Sequence, residues 1–133
     1  MKEADATLEE VLVHHLEHLD DVFPDLRGHA RTVTHTLTTL LPRGVSSLAA
    51  VAKVMGMSER VLQSHLQAED TSYQQLLDGL RSDLARRYLR SSELPLLEVA
   101  MLLGYGDAAA FHRAFKRWTG ETPGRYRRAL QAG

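Results

Sequence analysis

The chain has 133 residues, with 16 Lys and Arg against 17 Asp and Glu, so its formal net charge is −1 when His is neutral. Hydrophobic residues make up 44% of it, which is ordinary for a globular protein and excludes a chain that is disordered throughout. The absence of cysteine excludes a disulfide framework, a thiolate zinc site and a cysteine nucleophile. No apolar run approaches the roughly 20 residues that span a bilayer, and the N-terminus lacks the apolar core of a signal peptide, so we expect a cytoplasmic protein without a membrane segment.

The near-zero net charge hides an asymmetry along the chain. Residues 1–44 carry 4 basic and 8 acidic residues, whereas residues 45–133 carry 12 basic and 9 acidic ones. From Arg81 onward the count is 10 basic against 5 acidic. This distribution suggests a basic interaction surface in the second part, unless the charges are scattered over solvated helix faces.

The spacing of apolar residues predicts an all-α fold. Apolar residues recur three and four apart, and no stretch alternates as a strand would. A capping box at Thr7-Leu8-Glu9-Glu10 begins a helix that ends before Pro24, and a second helix is predicted over 25–41. After the break at Gly44, six helices are predicted, over 48–55, 59–67 and 73–90, over 95–103 with Pro95 in the first turn, over 108–118 and from Pro123 onward.

Two segments of the second part form a repeat. Residues 51–57 align with residues 99–105 at an offset of 48, and beyond the turn the offset becomes 49, so that Leu62 matches Phe111 and Leu66 matches Phe115. Each unit is a helix, a turn that contains a glycine, and a second helix, which is the helix-turn-helix pattern. The helix over 73–90, roughly 27 Å long, joins the two units and helps to hold them about one DNA turn apart.

The second helix of each unit is the candidate recognition helix, whose N-terminal residues reach base edges in the major groove. We predict base contacts from the outward residues near its start, which are Arg60, Gln63 and Ser64 in the first unit and Ala108, Ala109, His112 and Arg113 in the second. Arg and Gln can make bidentate contacts to guanine and adenine, whereas alanine offers only its methyl group. We predict phosphate contacts from Ser58, Gln67, Lys116, Arg117 and Arg125.

Residues 46–128 resemble the DNA-binding domain of the AraC family of bacterial transcription regulators. The resemblance is most specific over 104–127, where an aromatic follows Gly104, a Phe-x-Arg-x-Phe core begins at Phe111, and a Gly-x-x-Pro-x-x-Tyr-Arg tail begins at Gly120. It implies two helix-turn-helix units on a linker helix that bind two successive major-groove segments. It also implies transcriptional control at the nucleoid, most often activation through contacts to RNA polymerase. Two departures bear on the sites, since Ser64 stands where family members often have Arg and alanines occupy 108–110.

Residues 1–44 are predicted to be an acidic helical appendage to a DNA-binding domain over 45–133. The appendage resembles the end of an effector or dimerisation domain, so the chain is either a fragment of a longer regulator or a small stand-alone one, and a homodimer could form through this region or a missing domain. His14, Glu17 and His18 match the H-x-x-E-H motif, but no third ligand accompanies them. We therefore predict no catalytic residue, metal site or cofactor. The alternative function is a helical protein-interaction module in which DNA binding is weak or lost.

Overall fold

The computed structural model describes residues 26–132, and among these residues there are helices but no strands. The elements in chain order are α1 (Gly28–Leu40), a 3₁₀ helix (Leu41–Arg43), α2 (Leu48–Val54), α3 (Glu59–Ala68), α4 (Tyr73–Ser91), α5 (Leu96–Leu102), α6 (Ala108–Thr119) and α7 (Pro123–Ala132). The predicted all-α fold is confirmed. The helix predicted after Thr7 and the His14–Glu17–His18 motif lie outside the described residues.

Five of the six helices after Gly44 begin at the predicted residues, but α5 begins at Leu96 with Pro95 as its N-cap rather than in its first turn. The helix predicted over 25–41 also begins later. Leu26 and Arg27 precede α1, and Arg27 has extended backbone angles. Gly28 then has a φ of 59°, a left-handed value that glycine adopts at little steric cost. The prediction that Leu26 and Arg27 are helical is therefore wrong, because the left-handed backbone at Gly28 prevents the helix from extending back to them.

A carboxylate from another helix caps the start of α1. The amides of His29 and Ala30 donate to Glu69, at 3.1 Å and 2.9 Å. Glu69 is the C-cap residue of α3, 39 residues beyond Ala30 in the chain. Amides at a helix N-terminus have no partner inside the helix and favour a negative charge. The capping interaction therefore ties the beginning of α1 to the end of α3.

The threonine run in α1 has poor helix propensity, but its hydroxyl groups find partners inside the helix. Thr34 donates to the carbonyl oxygen of Ala30 at 3.0 Å, and Thr38 donates to that of His35 at 2.6 Å. Thr34 and Thr38 are both buried, and because these bonds satisfy their hydroxyl groups, neither leaves an unpaired polar group in the core.

One hydrophobic core connects the described helices. Its largest fully buried members come from α1, the 3₁₀ helix, α3, α4, the C-cap of α5 and α6, and they are Leu37, Leu41, Leu62, Leu66, Leu80, Leu84, Tyr88, Leu103, Phe111 and Phe115. Each such side chain contributes about 1.5–3 kcal/mol on burial. Helix α1 packs against α2, α3 and α4, and the 3₁₀ helix packs against α5. Residues 28–43 thus share the core with the following segment, while the division into domains at Gly44 stays a prediction.

The repeat predicted from the sequence has the same backbone geometry in both copies. The amide of Met57 donates to the carbonyl oxygen of Ala52 at 3.0 Å, and the amide of Tyr105 donates to that of Ala100 at 3.0 Å. In each unit, the glycine that follows the first helix has a positive φ, which is 71° at Gly56 and 86° at Gly104. Helices α2 and α3 are therefore the first helix-turn-helix unit, and α5 and α6 are the second.

Helix α4 joins the two units. It has 19 residues and so spans about 28 Å at about 1.5 Å per residue. Its N-cap is Ser72, whose hydroxyl oxygen accepts a hydrogen bond from the amide of Gln75 at 3.2 Å. The predicted two-unit architecture with a linker helix is confirmed.

Candidate nucleic-acid interface

Helix α3 presents one exposed stripe of polar side chains. The stripe members are spaced by three, four and seven residues from the first, and they are Arg60, Gln63, Ser64 and Gln67. Leu62 and Leu66, on the opposite side of the helix, are fully buried in the core. Helical periodicity thus separates the buried face from an outward face made of hydrogen-bonding groups.

Helix α6 presents the corresponding stripe of the second unit. At the repeat offset of 49, the four stripe positions of α3 become Ala109, His112, Arg113 and Lys116. Ala109, Arg113 and Lys116 are exposed, and His112 is half-buried with its ring 6.5 Å from that of Phe111. The two stripes match in position but differ in chemistry, because the first stripe begins with the guanidinium group of Arg60 and the second begins with the methyl group of Ala109.

A cluster of aromatic rings fixes α6 in the core. The Phe115 ring lies 5.8 Å from that of Phe111, 6.3 Å from that of Trp118 and 5.2 Å from that of Tyr126 in α7. These edge-on arrangements are favourable for aromatic pairs and add to the stabilisation from burial. These contacts hold the inner face of α6 in the core and leave its polar stripe on the outer face.

A side chain that precedes each recognition helix caps it. The hydroxyl oxygen of Ser58 accepts from the amide of Val61 at 3.1 Å, and a carboxylate oxygen of Asp107 accepts from the amide of Ala110 at 2.7 Å. Ser58 is exposed, and its hydroxyl hydrogen remains available as a donor while the oxygen caps α3. The capping role is therefore compatible with the predicted phosphate contact from Ser58.

The remaining predicted phosphate contacts are all at exposed positions, namely Gln67, Lys116, Arg117 and Arg125. Gln67 also lines an open groove with Gln63 of α3 and with Ser72 and Gln74 at the start of α4. Amide donors and the positive end of the long linker helix thus share one concave surface.

Two further arginines, for which the amino-acid sequence predicts no buried partner, are hydrogen-bonded to backbone carbonyl groups. Arg127 donates from Nη1 to the carbonyl oxygen of Leu94 at 2.6 Å, and burial lowers the pKa of its guanidinium while Glu93 opposes the shift. Arg81 is only 8% exposed and donates from Nε to the carbonyl oxygen of Leu103 at 2.7 Å. The burial of Arg81 could have been predicted from the apolar stripe of α4, because Arg81 lies at helical spacing from Leu77, Leu84 and Tyr88.

Comparison with known proteins identifies the two-unit domain. The family model described as "Helix-turn-helix domain" matches residues 51–129. The chain belongs to this family, of the AraC type. This agrees with the resemblance drawn from residues 46–128.

Among the relatives is the ornithine utilization regulator of Pseudomonas aeruginosa, 40% identical over 105 residues, which are 79% of this chain and 31% of the regulator. The chain thus spans about a third of that relative's length. A match of 105 residues in a chain of 133 begins no later than residue 29, so it includes nearly all of α1.

Two solved structures have a similar fold. A DNA-binding transcriptional dual regulator from Escherichia coli K-12 superposes with a TM-score of 0.73 at 25% identity, covering 82% of this chain and 97% of its own. The transcriptional regulator CdpR from P. aeruginosa superposes with a TM-score of 0.68 at 40% identity, covering 76% of this chain and 32% of its own.

Two other features are absent from the part of the chain that the structure describes. Within residues 26–132, no group of three or more His, Asp or Glu side chains could hold a metal ion. No helix in that range is both long enough and apolar enough to cross a membrane.

Proposed function

We propose that this chain binds double-stranded DNA sequence-specifically and regulates transcription, with α3 and α6 entering two successive segments of the major groove. The observation that carries the proposal is the pair of exposed stripes at equivalent positions of two helix-turn-helix units. Membership of the AraC family supports it, as do relatives named as transcriptional regulators. A regulator of this kind acts at the nucleoid in the cytoplasm, and the proposal includes no catalytic role.

In this proposal the two units make different kinds of contact to the bases. The first unit reads bases, because Arg60 and Gln63 can make bidentate contacts and Ser64 can donate or accept. The second unit offers methyl groups from Ala108 and Ala109, which suit a thymine methyl, followed by base contacts from His112 and Arg113.

Phosphate contacts hold both units in register. In the second unit, Lys116 and Arg117 follow the base-contacting residues on α6, and Arg125 lies at the start of α7. In the first unit, Ser58 and Gln67 bind phosphate as neutral donors. Because three of these five side chains are cationic, log Kobs should fall with log salt concentration at a slope of about −3.

We propose activation, through a contact between the DNA-bound chain and RNA polymerase. Leu97 and Met101 on α5 support a protein contact, since they are 53% and 56% exposed and lie four residues apart on one helix face. Apolar side chains that form a contiguous exposed patch often mark a contact with another protein. A homodimer through the N-terminal region, or through a domain beyond this chain, belongs to the same proposal.

Selection of bound sequences from a random pool of double-stranded DNA tests the proposal. We expect a bipartite site, and we expect Arg60→Ala to cost about 1–3 kcal/mol on that site and to relax preference at one base position. Lys116→Gln is the matched phosphate variant, which should weaken binding equally on all sequences and reduce the salt slope by about 1. Recovery of no preferred sequence, with no salt dependence, would refute the proposal. Strong self-association in sedimentation, without a DNA-dependent shift, would instead favour the protein-interaction module.

A further inference from the structure

The two turns of the repeat differ in what surrounds them. An added Cβ at Gly56 would meet no atom within 4 Å, so the first turn is open. An added Cβ at Gly104 would lie 3.1 Å from Nη2 of Arg81 and 3.1 Å from Cδ2 of Leu41. The linker helix and the 3₁₀ helix therefore both press on the turn of the second unit at its glycine, whereas no atom of residues 26–132 does so at Gly56.

Arg81 is the polar part of this contact. Its Nε donates to the carbonyl oxygen of Leu103, the last residue before the turn, at 2.7 Å, and its guanidinium carbon lies 4.2 Å from the centre of the Tyr105 ring. The positive charge thus meets the negative end of α5 on one side and the face of an aromatic ring on the other, and both interactions are favourable. Burial raises the pKa of the Tyr105 phenol, and the Arg81 charge opposes this shift.

Tyr105 connects this contact to the second recognition helix. Its ring lies 6.0 Å from that of Phe111 and 6.5 Å from that of Trp118, both in α6. A continuous path of packed groups therefore runs from the linker helix through Arg81 and Tyr105 into α6. At the other end of the linker, Tyr73 donates its hydroxyl to the carbonyl oxygen of Ser46, just before the first unit, at 2.8 Å.

We propose that Arg81 is a positioning residue that sets the orientation of the second recognition helix relative to the first, and so determines which spacing of the two DNA segments the protein accepts. The inference rests on the proposed function, because it assumes that both units bind one DNA site. Arginine suits the role better than lysine, since a planar guanidinium can bond a carbonyl group and lie against a ring at once.

The test uses the full chain and the bipartite site recovered from the random pool. The probes are duplexes with the selected spacing, with one base pair inserted or deleted between the segments, and with the second segment scrambled. One base pair turns the second segment by about 35° and moves it by about 3.4 Å. Wild-type protein should lose about tenfold in affinity for each shifted spacing, as for a mismatched base pair.

Arg81→Gln should bind the first segment alone as wild type does, but distinguish the spacings by less than about threefold. Arg81→Lys should recover part of the preference. The matched control is Arg87→Gln on the same helix, because Arg87 pairs with Asp83 inside α4 at 2.9 Å, and it should keep the full preference. Spacing discrimination by Arg81→Gln equal to that of wild type would overturn the inference, as would an equal loss in the control.

Two further arms separate the causes of failure. If Arg81→Gln does not fold by circular dichroism, Tyr105→Leu replaces it, because it removes the aromatic face and leaves the charge in place. That variant should also lose the spacing preference, and retention of the preference would overturn the inference. If wild-type protein selects no sequence, the proposed function fails. If wild-type protein discriminates spacing and the variants do so equally well, only the positioning role fails.

Discussion

Alanine substitutions at the two turn glycines should destabilise the protein unequally. Both positions have a left-handed φ, 71° at Gly56 and 86° at Gly104, where an alanine side chain costs about 1 kcal/mol. At Gly56 the added methyl group meets open space, so about 1 kcal/mol is the whole expected loss. At Gly104 it approaches both Arg81 and Leu41 at 3.1 Å, so these groups must shift, and overpacking of this kind adds about 1–2 kcal/mol.

Urea denaturation of the two variants, followed by circular dichroism, measures this difference. With a slope of about 2 kcal/mol per molar urea, the midpoint of Gly104→Ala should lie about 0.5–1 M below that of Gly56→Ala. A double-mutant cycle with Arg81→Gln should show losses that are less than additive, because removal of the guanidinium makes room for the methyl group. Equal losses at the two glycines would refute the reasoning that the second turn is tightly packed.

Three further substitutions test the core and the start of α1. Phe115→Ala should lower the free energy of unfolding by about 3–5 kcal/mol in denaturant titration, because the fully buried ring packs among other aromatic rings. Tyr88→Phe should change stability by less than about 0.5 kcal/mol or raise it, because the buried hydroxyl, whose pKa burial raises to about 12, has no hydrogen-bond partner among residues 26–132. Glu69→Gln should cost about 0.5–1 kcal/mol at neutral pH. Partial burial raises the pKa of the Glu69 carboxyl, but hydrogen bonds from Ala30 and His29 outweigh it and hold that pKa below its ordinary value of 4.5. The stabilisation is thus present above pH 4.5 and is lost as the pH falls through the lower folded value, so a thermal-melting series should show the two proteins converging in acid.

The helices after Gly44 could be predicted because their signals are local. Ser72 caps α4 through an amide three residues away, and Leu62 and Leu66 show by their spacing which side of α3 is buried. The exposed stripe of α3 follows from the same periodicity, since it is the face opposite the leucines. These are interactions within one turn or one helix, and the amino-acid sequence displays them directly.

The start of α1 and the role of Arg81 could not be predicted in the same way, because their partners are remote in sequence. Glu69 lies 39 residues from Ala30, and Leu103 lies 22 residues from Arg81. Periodicity places Arg81 on the inner side of α4, but only the folded chain supplies the carbonyl group and the ring that make a buried guanidinium acceptable. The DNA contacts stay predictions for a similar reason, since they depend on a partner molecule.

The capping of α1 by Glu69 has a consequence for the order of folding during synthesis. The amides of His29 and Ala30 leave the ribosome about 40 residues before their acceptor does, so the first turn of α1 lacks its partner until α3 has formed. The threonine-rich segment has a low intrinsic helix propensity, so it does not favour the helical form before its cap is available. We therefore expect α1 to complete its N-terminal turn only when the first helix-turn-helix unit docks on it, although α1 is synthesised before that unit.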